Sequence, residues 1–329
     1  MARVLTGIQS TGTPHLGNIL GAIAPAIAMA NDPANDSFLF IADMHSLTQI
    51  KDADVLRENT YSVAATWLAF GLNPEKTAFY RQSDIPEVAE LTWYLSCFYP
   101  YQRLTLAHSF KDKADRLEDV NGGLFTYPML MAADILLYDA EYVPVGKDQL
   151  QHLEMTRDVA SRFNHKMGET FVIPKDLVQE NTMYIPGTDG HKMSKSRQNT
   201  IDVFAEDKAL KNLINKNIVT DALALEDPKD PASNPIHQLY TLVAGEAAGA
   251  EMAEKLQAGG YGWGHAKTAL REALTDHFAN EREHYHTLMT NKSHIDEALA
   301  TGAAKAREVA RKVLERVREK LGMGMPKTR

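Results

Sequence analysis

The segment Gly7-Ile-Gln-Ser-Thr-Gly-Thr-Pro-His-Leu-Gly-Asn18 joins a buried strand to a helix through a polar loop that contains glycines. The apolar run at residues 3–8 predicts the strand, and residues 15–30 have the composition of the helix. Open α/β sheets bind ligands at such strand ends, where the free N–H groups of a helix N-terminus favour phosphate. The loop is neither a Walker loop nor a GxGxxG fingerprint, so spacing alone leaves a nucleotide site and a plain tight turn equally open.

Strands and helices alternate outward from this segment. Apolar runs predict further strands at 38–42, 77–80 and 141–145. We expect helices at 15–30, at 55–70, in much of 86–138 and after 145. Pro25 predicts that the helix at 15–30 is kinked or restarts there. After about residue 200 the strand signals stop. The pattern therefore predicts a doubly wound, Rossmann-like parallel α/β sheet followed by a mainly helical C-terminal domain.

Composition is that of an ordinary globular protein. The chain has 329 residues, of which 44% are apolar, with a formal net charge of −8. Its single cysteine, Cys97, excludes a disulfide framework within one chain and suits a reducing cytoplasm. The N-terminus has no signal-peptide pattern, and the longest apolar stretch, 19–30, is too short to span a bilayer. We therefore expect a cytoplasmic protein without a membrane segment, and the histidine spacing predicts no metal site.

The C-terminal 27 residues are basic, although the whole chain is acidic. Residues 303–329 contain nine lysines and arginines against three glutamates. Such a stripe could follow nucleic-acid phosphates, or it could be a solvated helix face. A helix predicted at about 302–321 also carries an apolar stripe at i+4 spacing, formed by Val309, Val313, Val317 and Leu321. This stripe could bind a partner, but packing on the core is the interpretation that we favour.

A second chemical segment, Asp189-Gly-His-Lys-Met-Ser-Lys-Ser196, is a polar loop led by a glycine. Its two lysines, Lys192 and Lys195, are three residues apart. A loop of this kind can close over pyrophosphate and neutralise the charge of the leaving group.

Together, the two segments resemble the signatures of class I aminoacyl-tRNA synthetases, a superfamily that includes nucleotidylyltransferases. His15-Leu-Gly-Asn18 is similar to the HIGH signature, and Lys192-Met-Ser-Lys-Ser196 matches the KMSKS signature. The resemblance implies that catalysis depends on His15, Asn18, Lys192, Lys195 and Lys113. The ATP contacts that it implies are Gln9, Ser10, Thr11, Gly17, Asn18, Gly146, Lys147, Asp148, Tyr184, Lys192, Met193, Ser194, Lys195 and Ser196.

Within that class, the length leaves room only for the small tryptophan and tyrosine enzymes. Segments 123–138 and 143–154 resemble the tryptophan enzymes of bacterial type. Asp134 lies one helical turn from Met131, and its carboxylate in an apolar wall suits an indole N–H, although spacing alone also allows a paired structural carboxylate. The amino-acid contacts that the resemblance implies are Gly7, His45, Tyr127, Met131, Asp134, Val143, Val145 and Gln149.

The activity implied is ATP-dependent activation of L-tryptophan and its transfer to tRNA(Trp), with Mg²⁺ carried on the phosphates. The resemblance further implies a homodimer formed by the helical insert at about 86–138 of a catalytic domain at 1–200. Residues 201–284 would bind the anticodon, and 285–329 would pack back on the body. The alternatives are a tyrosyl-tRNA synthetase, a non-catalytic RNA-binding paralogue, and a small-molecule nucleotidylyltransferase.

Overall fold

The computed structural model describes residues 1–106, 120–146, 149–178 and 184–323, and its centre is a parallel five-stranded sheet. The strand order is β3-β2-β1-β4-β5, so the chain winds outward from β1 in both directions. This confirms the doubly wound, Rossmann-like fold. The strands are β1 (Ala2–Ile8), β2 (Asn35–Ile41), β3 (Ala78–Arg81), β4 (Tyr142–Val145) and β5 (Lys175–Val178).

Helices cover both faces of the sheet and make up most of the chain after residue 206. Those before it are α1 (Leu16–Asn18), α2 (Ala24–Asn31), α3 (Asp43–Ser46), α4 (Ala53–Ala69), α5 (Glu87–Phe98), α6 (Tyr101–Leu104), α7 (Gly122–Leu136) and α8 (Leu150–Met167). Those after it are α9 (Asp207–Asn217), α10 (Pro235–Ala244), α11 (Glu246–Ala258), α12 (Trp263–His277), α13 (Ala279–Thr290) and α14 (Ser293–Leu321).

Two apolar cores flank the sheet, because successive strand side chains point to opposite faces. Leu39 and Ile41 of β2 belong to the core shared with α2, α4 and the helices after residue 200. Phe38 and Phe40 belong to the core shared with α5, α7 and α8. The first core continues through the predicted domain boundary, so the division near residue 200 stays a prediction.

The predicted restart at Pro25 is confirmed. A π-helical turn, Ile19–Ile23, separates α1 from α2, and Pro25 lies in the first turn of α2. Proline is tolerated there because the first-turn N–H groups of a helix have no partner within it. The hydrogen-bond register of this helical segment therefore changes close to the loop that ends at Asn18.

The last helix begins at Ser293, nine residues before the predicted start near 302. The apparent break at Gly302 is a packing contact, because a Cβ there would lie 1.8 Å from the carbonyl oxygen of Phe79 in β3. Val313 and Val317 are buried in the second core, and Val309 and Leu321 pack against it. The interpretation of the apolar stripe as core is confirmed.

Arginines of the C-terminal basic stripe form ion pairs with α5. Nε of Arg307 and Nε of Arg311 lie 2.8 and 3.2 Å from Oε1 of Glu87, and Arg318 pairs with Glu90. Burial would raise the pKa of Glu87, but the hydrogen bonds from the arginines outweigh it, and the net pKa is lowered. These three arginines therefore link α14 to α5, and this part of the basic stripe is not a purely solvated face.

Other predictions differ from the structure or fall outside its described residues. Strand β5 was not predicted, because only two of its four residues are apolar. Lys113, Lys147 and Asp148 lie outside the described residues. Within the part of the chain that the structure describes, no helix is long and apolar enough to cross a membrane.

Candidate active site

The site lies where the strand order changes direction. β1 pairs with β2 on one side and with β4 on the other, so the loops after β1 and β4 leave the sheet in opposite directions. Doubly wound sheets bind ligands in the crevice at this switch point, beyond the carboxyl ends of the strands. The loop 9–18 follows β1, and Gly146 and Gln149 follow β4, so both predicted segments border the crevice.

His15 begins the helix that follows the first loop. Its Nδ1 accepts a hydrogen bond from the backbone N–H of Asn18 (3.2 Å), and Oδ1 of Asn18 accepts one from the N–H of His15 (3.3 Å). Burial, and then the charge of Lys195, lower the pKa of His15 to about 4. The ring is therefore neutral at pH 7, and because Nδ1 is an acceptor, the proton is on Nε2.

The two signature loops touch each other. Nζ of Lys195 donates to the carbonyl oxygen of Thr11 at 3.2 Å, and burial lowers the pKa of this lysine. The backbone N–H of Gly17 donates to Sδ of the buried Met193 at 3.2 Å. Both contacts join residues more than 170 positions apart in the sequence. The structure thus brings the two predicted motifs together at one end of the sheet.

Glycine is required where the two loops meet. A Cβ at Gly17 would lie 3.1 Å from both the His15 ring and Cβ of Met193. A Cβ at Gly7 would lie 2.5 Å from the ring of Phe40, its register partner in β2. Side chains at either position would displace a wall of the crevice.

Other members of the predicted ATP set differ in exposure. Ser10 is fully buried, and its N–H and hydroxyl bond to Oγ of Ser46, so its side chain faces the protein. Tyr184 is half exposed and donates to the carbonyl oxygen of Gly190. Gln9, Lys192, Ser194 and Ser196 are at least partly accessible to solvent.

Asp134 is buried, and its carboxylate has protein partners. Nε2 of Gln82 lies 2.8 and 2.9 Å from its two oxygens, and Nε2 of His45 lies 2.9 Å from Oδ2. Burial raises the pKa of Asp134, and the hydrogen bonds from His45 and Gln82 act in the opposite direction. The carboxylate is thus paired within the protein, as spacing alone allowed, and its contact with an indole N–H stays a prediction. A carboxylate offers about four acceptor sites, so a position for one further donor remains.

Three of the other predicted amino-acid contacts belong to one apolar core. Val143 and Val145 are buried in β4, and Met131 packs against the same core. The hydroxyl of Tyr127 lies 2.8 Å from Nε2 of the buried His152. The described residues thus place an apolar wall and a few fixed polar groups in one region, as ligand pockets require.

Sequence analysis missed the residues that support this wall. Gln82 is buried and also accepts from the N–H of His45, and Asp43 binds the N–H and the hydroxyl of Ser83. Burial raises the pKa of Asp43, and the hydrogen bonds from Ser83 lower it. A signal was present, because Gln82 directly follows β3 at the ligand-binding edge of the sheet.

Taken together, the fold and the site define an α/β enzyme that binds a nucleotide at the switch point, with a neutral histidine and a lysine loop at the phosphate side. Comparison with known proteins narrows this class. The family model described as tRNA synthetases class I (W and Y) matches residues 1–279. The chain belongs to this family.

Relatives match over nearly the whole chain. A tryptophan–tRNA ligase of Rhodopirellula baltica is 48% identical over 321 residues, which cover 98% of this chain and 99% of the relative. The crystal structure of Campylobacter jejuni tryptophanyl-tRNA synthetase, complexed with ADP and tryptophan, has a TM-score of 0.93 at 44% identity, covering 97% of this chain and 99% of that one. The synthetase of Mycoplasma pneumoniae has a TM-score of 0.78 at 29% identity, and the match covers 98% of each chain.

Proposed function

We propose that this chain is a tryptophan–tRNA ligase. It activates L-tryptophan with ATP and transfers it to tRNA(Trp) in the cytoplasm, releasing pyrophosphate and AMP. The relatives that match it over nearly its full length carry that name. The observation that carries the proposal is the contact between the two signature loops at the switch point of the sheet, beside a crevice wall that contains a buried carboxylate.

The loop side of the crevice fits ATP. The helix that starts at His15 points the positive end of its dipole towards the loop, and the neutral ring of His15 can donate a hydrogen bond from Nε2. Lys192 and Lys195 supply positive charge beside this helix start, where the phosphates would lie. Mg²⁺ would travel with the phosphates as part of the substrate.

The wall at β4 fits the amino acid. We assign the indole to the apolar wall that includes Met131 and Val143, with its N–H directed to Asp134. His45 and Gln82 hold the Asp134 carboxylate in one orientation. The carboxylate can therefore accept a hydrogen bond from a ligand only at one position. A pocket built around a required hydrogen bond rejects ligands that leave it unpaired by ~10⁴-fold or more.

The reaction has two steps. An oxygen of the tryptophan carboxylate attacks the α-phosphorus of ATP, and the bond from phosphorus to the bridging oxygen of pyrophosphate breaks. The ammonium groups of Lys192 and Lys195 neutralise charge on the leaving pyrophosphate, while the neutral His15 donates from Nε2 to a phosphate oxygen. A ribose hydroxyl of the tRNA then attacks the activated carbonyl, and AMP leaves. The protein contributes positions and charges without forming a covalent intermediate.

We further propose that the helices at 201–284 bind the anticodon and that the insert at 86–138 forms a homodimer. Support for the dimer comes from exposed apolar side chains on α5 and α6, where Trp93 is 68% and Tyr101 66% exposed. Nearby, a cavity of about 400 Å³ is lined by residues of α3, α5 and α7, including Met44 and Leu130. Such a surface is typical of a protein–protein interface.

Aminoacylation in vitro tests the proposal. Purified protein, ATP and Mg²⁺ are incubated with transcribed tRNA(Trp) and labelled tryptophan, and in parallel with tRNA(Tyr) and labelled tyrosine. We expect acid-precipitable label only with the tryptophan pair. Label with the tyrosine pair would instead favour the tyrosine enzyme of the same family. The absence of label with either pair would favour an RNA-binding paralogue without catalysis.

A further inference from the structure

Asn199 lies behind the lysine loop, three residues after the KMSKS segment ends. Its side chain is almost completely buried, with 2% of the residue exposed, although the lysines in front of it are open to solvent. A buried amide must have its donors and acceptor satisfied, because an unpaired polar group in the interior is costly. The partners of this side chain therefore show what it does.

All of these partners belong to the loop itself. Oδ1 of Asn199 accepts from the backbone N–H of Ser194 at 2.8 Å. Nδ2 donates to Oδ1 of Asp189 at 2.6 Å and to the carbonyl oxygen of Lys192 at 3.2 Å. One side chain thus holds the loop before the lysine pair, at Lys192 and between the two lysines, and these contacts need both a donor and an acceptor.

The backbone of Asn199 closes the same loop. Its carbonyl oxygen accepts from the N–H of Thr188 at 3.0 Å, and the N–H of Gly187 donates to the carbonyl of His191 at 2.7 Å. A Cβ at Gly187 would lie 2.3 Å from Cγ of Asn199, so the two residues are in direct contact. Residues 187–199 therefore form a compact unit that is closed by this contact.

We propose that Asn199 is a positioning residue that keeps the lysine loop preformed, so that Lys192 and Lys195 reach the ATP phosphates together. This inference rests on the proposed function. Preorganised charges need no rearrangement when the leaving group forms, so a loop without Asn199 would bind ATP and its transition state less well. Tryptophan binds on the other side of the crevice, and its binding should not depend on this residue.

The side chain of Asp189 belongs to the same set of contacts as Asn199. This carboxylate is exposed, yet the hydrogen bond from Asn199 lowers its pKa. It also accepts from the N–H of His191 at 3.0 Å, so it links the start of the loop to Asn199. Replacing Asn199 by aspartate would put two carboxylates in contact and remove both donated hydrogen bonds without changing the size of the side chain.

The experiment compares Asn199→Asp with Asn291→Asp, the same chemical change at an exposed position between α13 and α14. Tryptophan-dependent ATP–pyrophosphate exchange gives KM for ATP and for tryptophan, and kcat. For Asn199→Asp we expect kcat/KM for ATP to fall roughly 10- to 100-fold, because buried partners lose their hydrogen bonds, while KM for tryptophan stays within about twofold of the wild-type value. Asn291→Asp should behave like the wild type.

Trypsin supplies a readout that does not depend on activity. Lys192, Lys195 and Arg197 are exposed in the loop, and a preformed loop resists cleavage. We expect Asn199→Asp to be cut in this loop several times faster than wild type at unchanged melting temperature. If Asn199→Asp is cleaved at the wild-type rate and has the wild-type kcat/KM for ATP, the proposal is overturned. It is also overturned if kcat/KM falls equally for ATP and tryptophan and the melting temperature is lowered.

A second variant keeps the test decisive if Asn199→Asp does not fold. Asp189→Ala removes one exposed partner of the clamp, and we expect a three- to tenfold higher KM for ATP with an unchanged KM for tryptophan. An unchanged KM for ATP would contradict the clamp. A wild-type protein without exchange for any amino acid would refute the proposed function instead, so the two failures are distinguishable.

Discussion

His15 is uncharged at neutral pH because it is buried beside the ammonium group of Lys195. A cation at this position would be repelled by the lysine, while the neutral ring can donate a hydrogen bond from Nε2. In the proposed function, phosphate binding at this end of the sheet would depend on a neutral donor, a helix N-terminus and the separate charge of the lysine loop.

The lowered pKa of His15 predicts a pH dependence of stability. Its pKa is about 4 in the folded chain and 6.5 in an unfolded one, so protonation favours unfolding. The stabilisation is complete above pH 6.5 and is lost as the pH falls towards 4. We expect the free energy of unfolding of the wild type to fall by about 3 kcal/mol more than that of His15→Asn over this range. Urea denaturation at several pH values measures this difference, and parallel curves would contradict it.

Asp134 provides the second prediction at the residue scale. Asparagine would keep the shape of the side chain but would weaken acceptance of an indole N–H. For Asp134→Asn we expect kcat/KM for tryptophan to fall about 10- to 100-fold in pyrophosphate exchange, with KM for ATP unchanged. Asp54→Asn, at an exposed position of α4, is the control. If kcat/KM for tryptophan and kcat/KM for ATP fall equally in Asp134→Asn, Asp134 only supports the fold.

Sequence analysis selected candidate site residues within short continuous segments, and their roles stay predictions. His15 and Lys195 belong to such segments, and their types and spacing predicted phosphate chemistry. Gln82 and Asn199 act through contacts that only the fold creates, such as the bond from Gln82 to Asp134 across 52 positions. Their partners could not be deduced from the sequence around them.

At the scale of elements, Gly302 shows how tertiary packing overrides helix propensity. In a helix interior, alanine is more favourable than glycine by about 1 kcal/mol. Gly302 lies against the backbone of Phe79, so a methyl group there has no space. The position of α14 beside β3 depends on this close approach.

Helix propensity alone predicts that replacing Gly302 by alanine raises the free energy of unfolding, whereas the packing contact predicts that it lowers it. For Gly302→Ala we expect the free energy of unfolding to fall by about 1–3 kcal/mol, as in other overpacked sites. Gly264→Ala, in α12 where a Cβ would meet no atom within 4 Å, should leave stability unchanged or raise it. Urea denaturation compares the two variants, and equal stabilities would contradict the packing account.

Most elements could be predicted, because their apolar residues recur with the period of a strand or a helix. The start of α14 could not be predicted. The helix was expected to begin near Gly302, but this glycine lies inside α14, where it contacts the backbone of β3. Strand β5 lies at the edge of the sheet and contains Lys175 and Asp176, so it lacks the apolar run of a buried parallel strand.

At the scale of the whole molecule, the exposed apolar surface on α5 and α6 is the basis for the proposed homodimer. We expect Trp93→Glu to weaken dimerisation at least about 100-fold, because it places a charge among apolar side chains. Val219→Glu changes another exposed apolar residue outside this surface and should leave the dimer intact. Sedimentation velocity at several concentrations measures both, and a dimeric Trp93→Glu variant would refute this interface.

The assembly of the molecule was predictable only in part. Alternation of strands and helices predicted the doubly wound sheet, and the switch point then predicted where the site lies. The two cores were not predictable, because Ile201 and Phe204 pack into the same core as Leu16 of the first loop. The end of the strand signals suggested a domain boundary near residue 200. In the structure, residues 201 and 204 instead belong to the core on one face of the sheet.

The measurement that most directly tests the account is amino-acid-dependent ATP–pyrophosphate exchange, without tRNA, for each of the twenty amino acids. We expect exchange with tryptophan alone. For Lys195→Ala, we expect a decrease of roughly 10²- to 10³-fold at unchanged tryptophan affinity, because one charge-stabilising group is removed. Exchange with tyrosine would contradict the assignment of the pocket at Asp134. A Lys195→Ala variant with wild-type exchange, or a wild type that exchanges with no amino acid, would contradict the catalytic account itself.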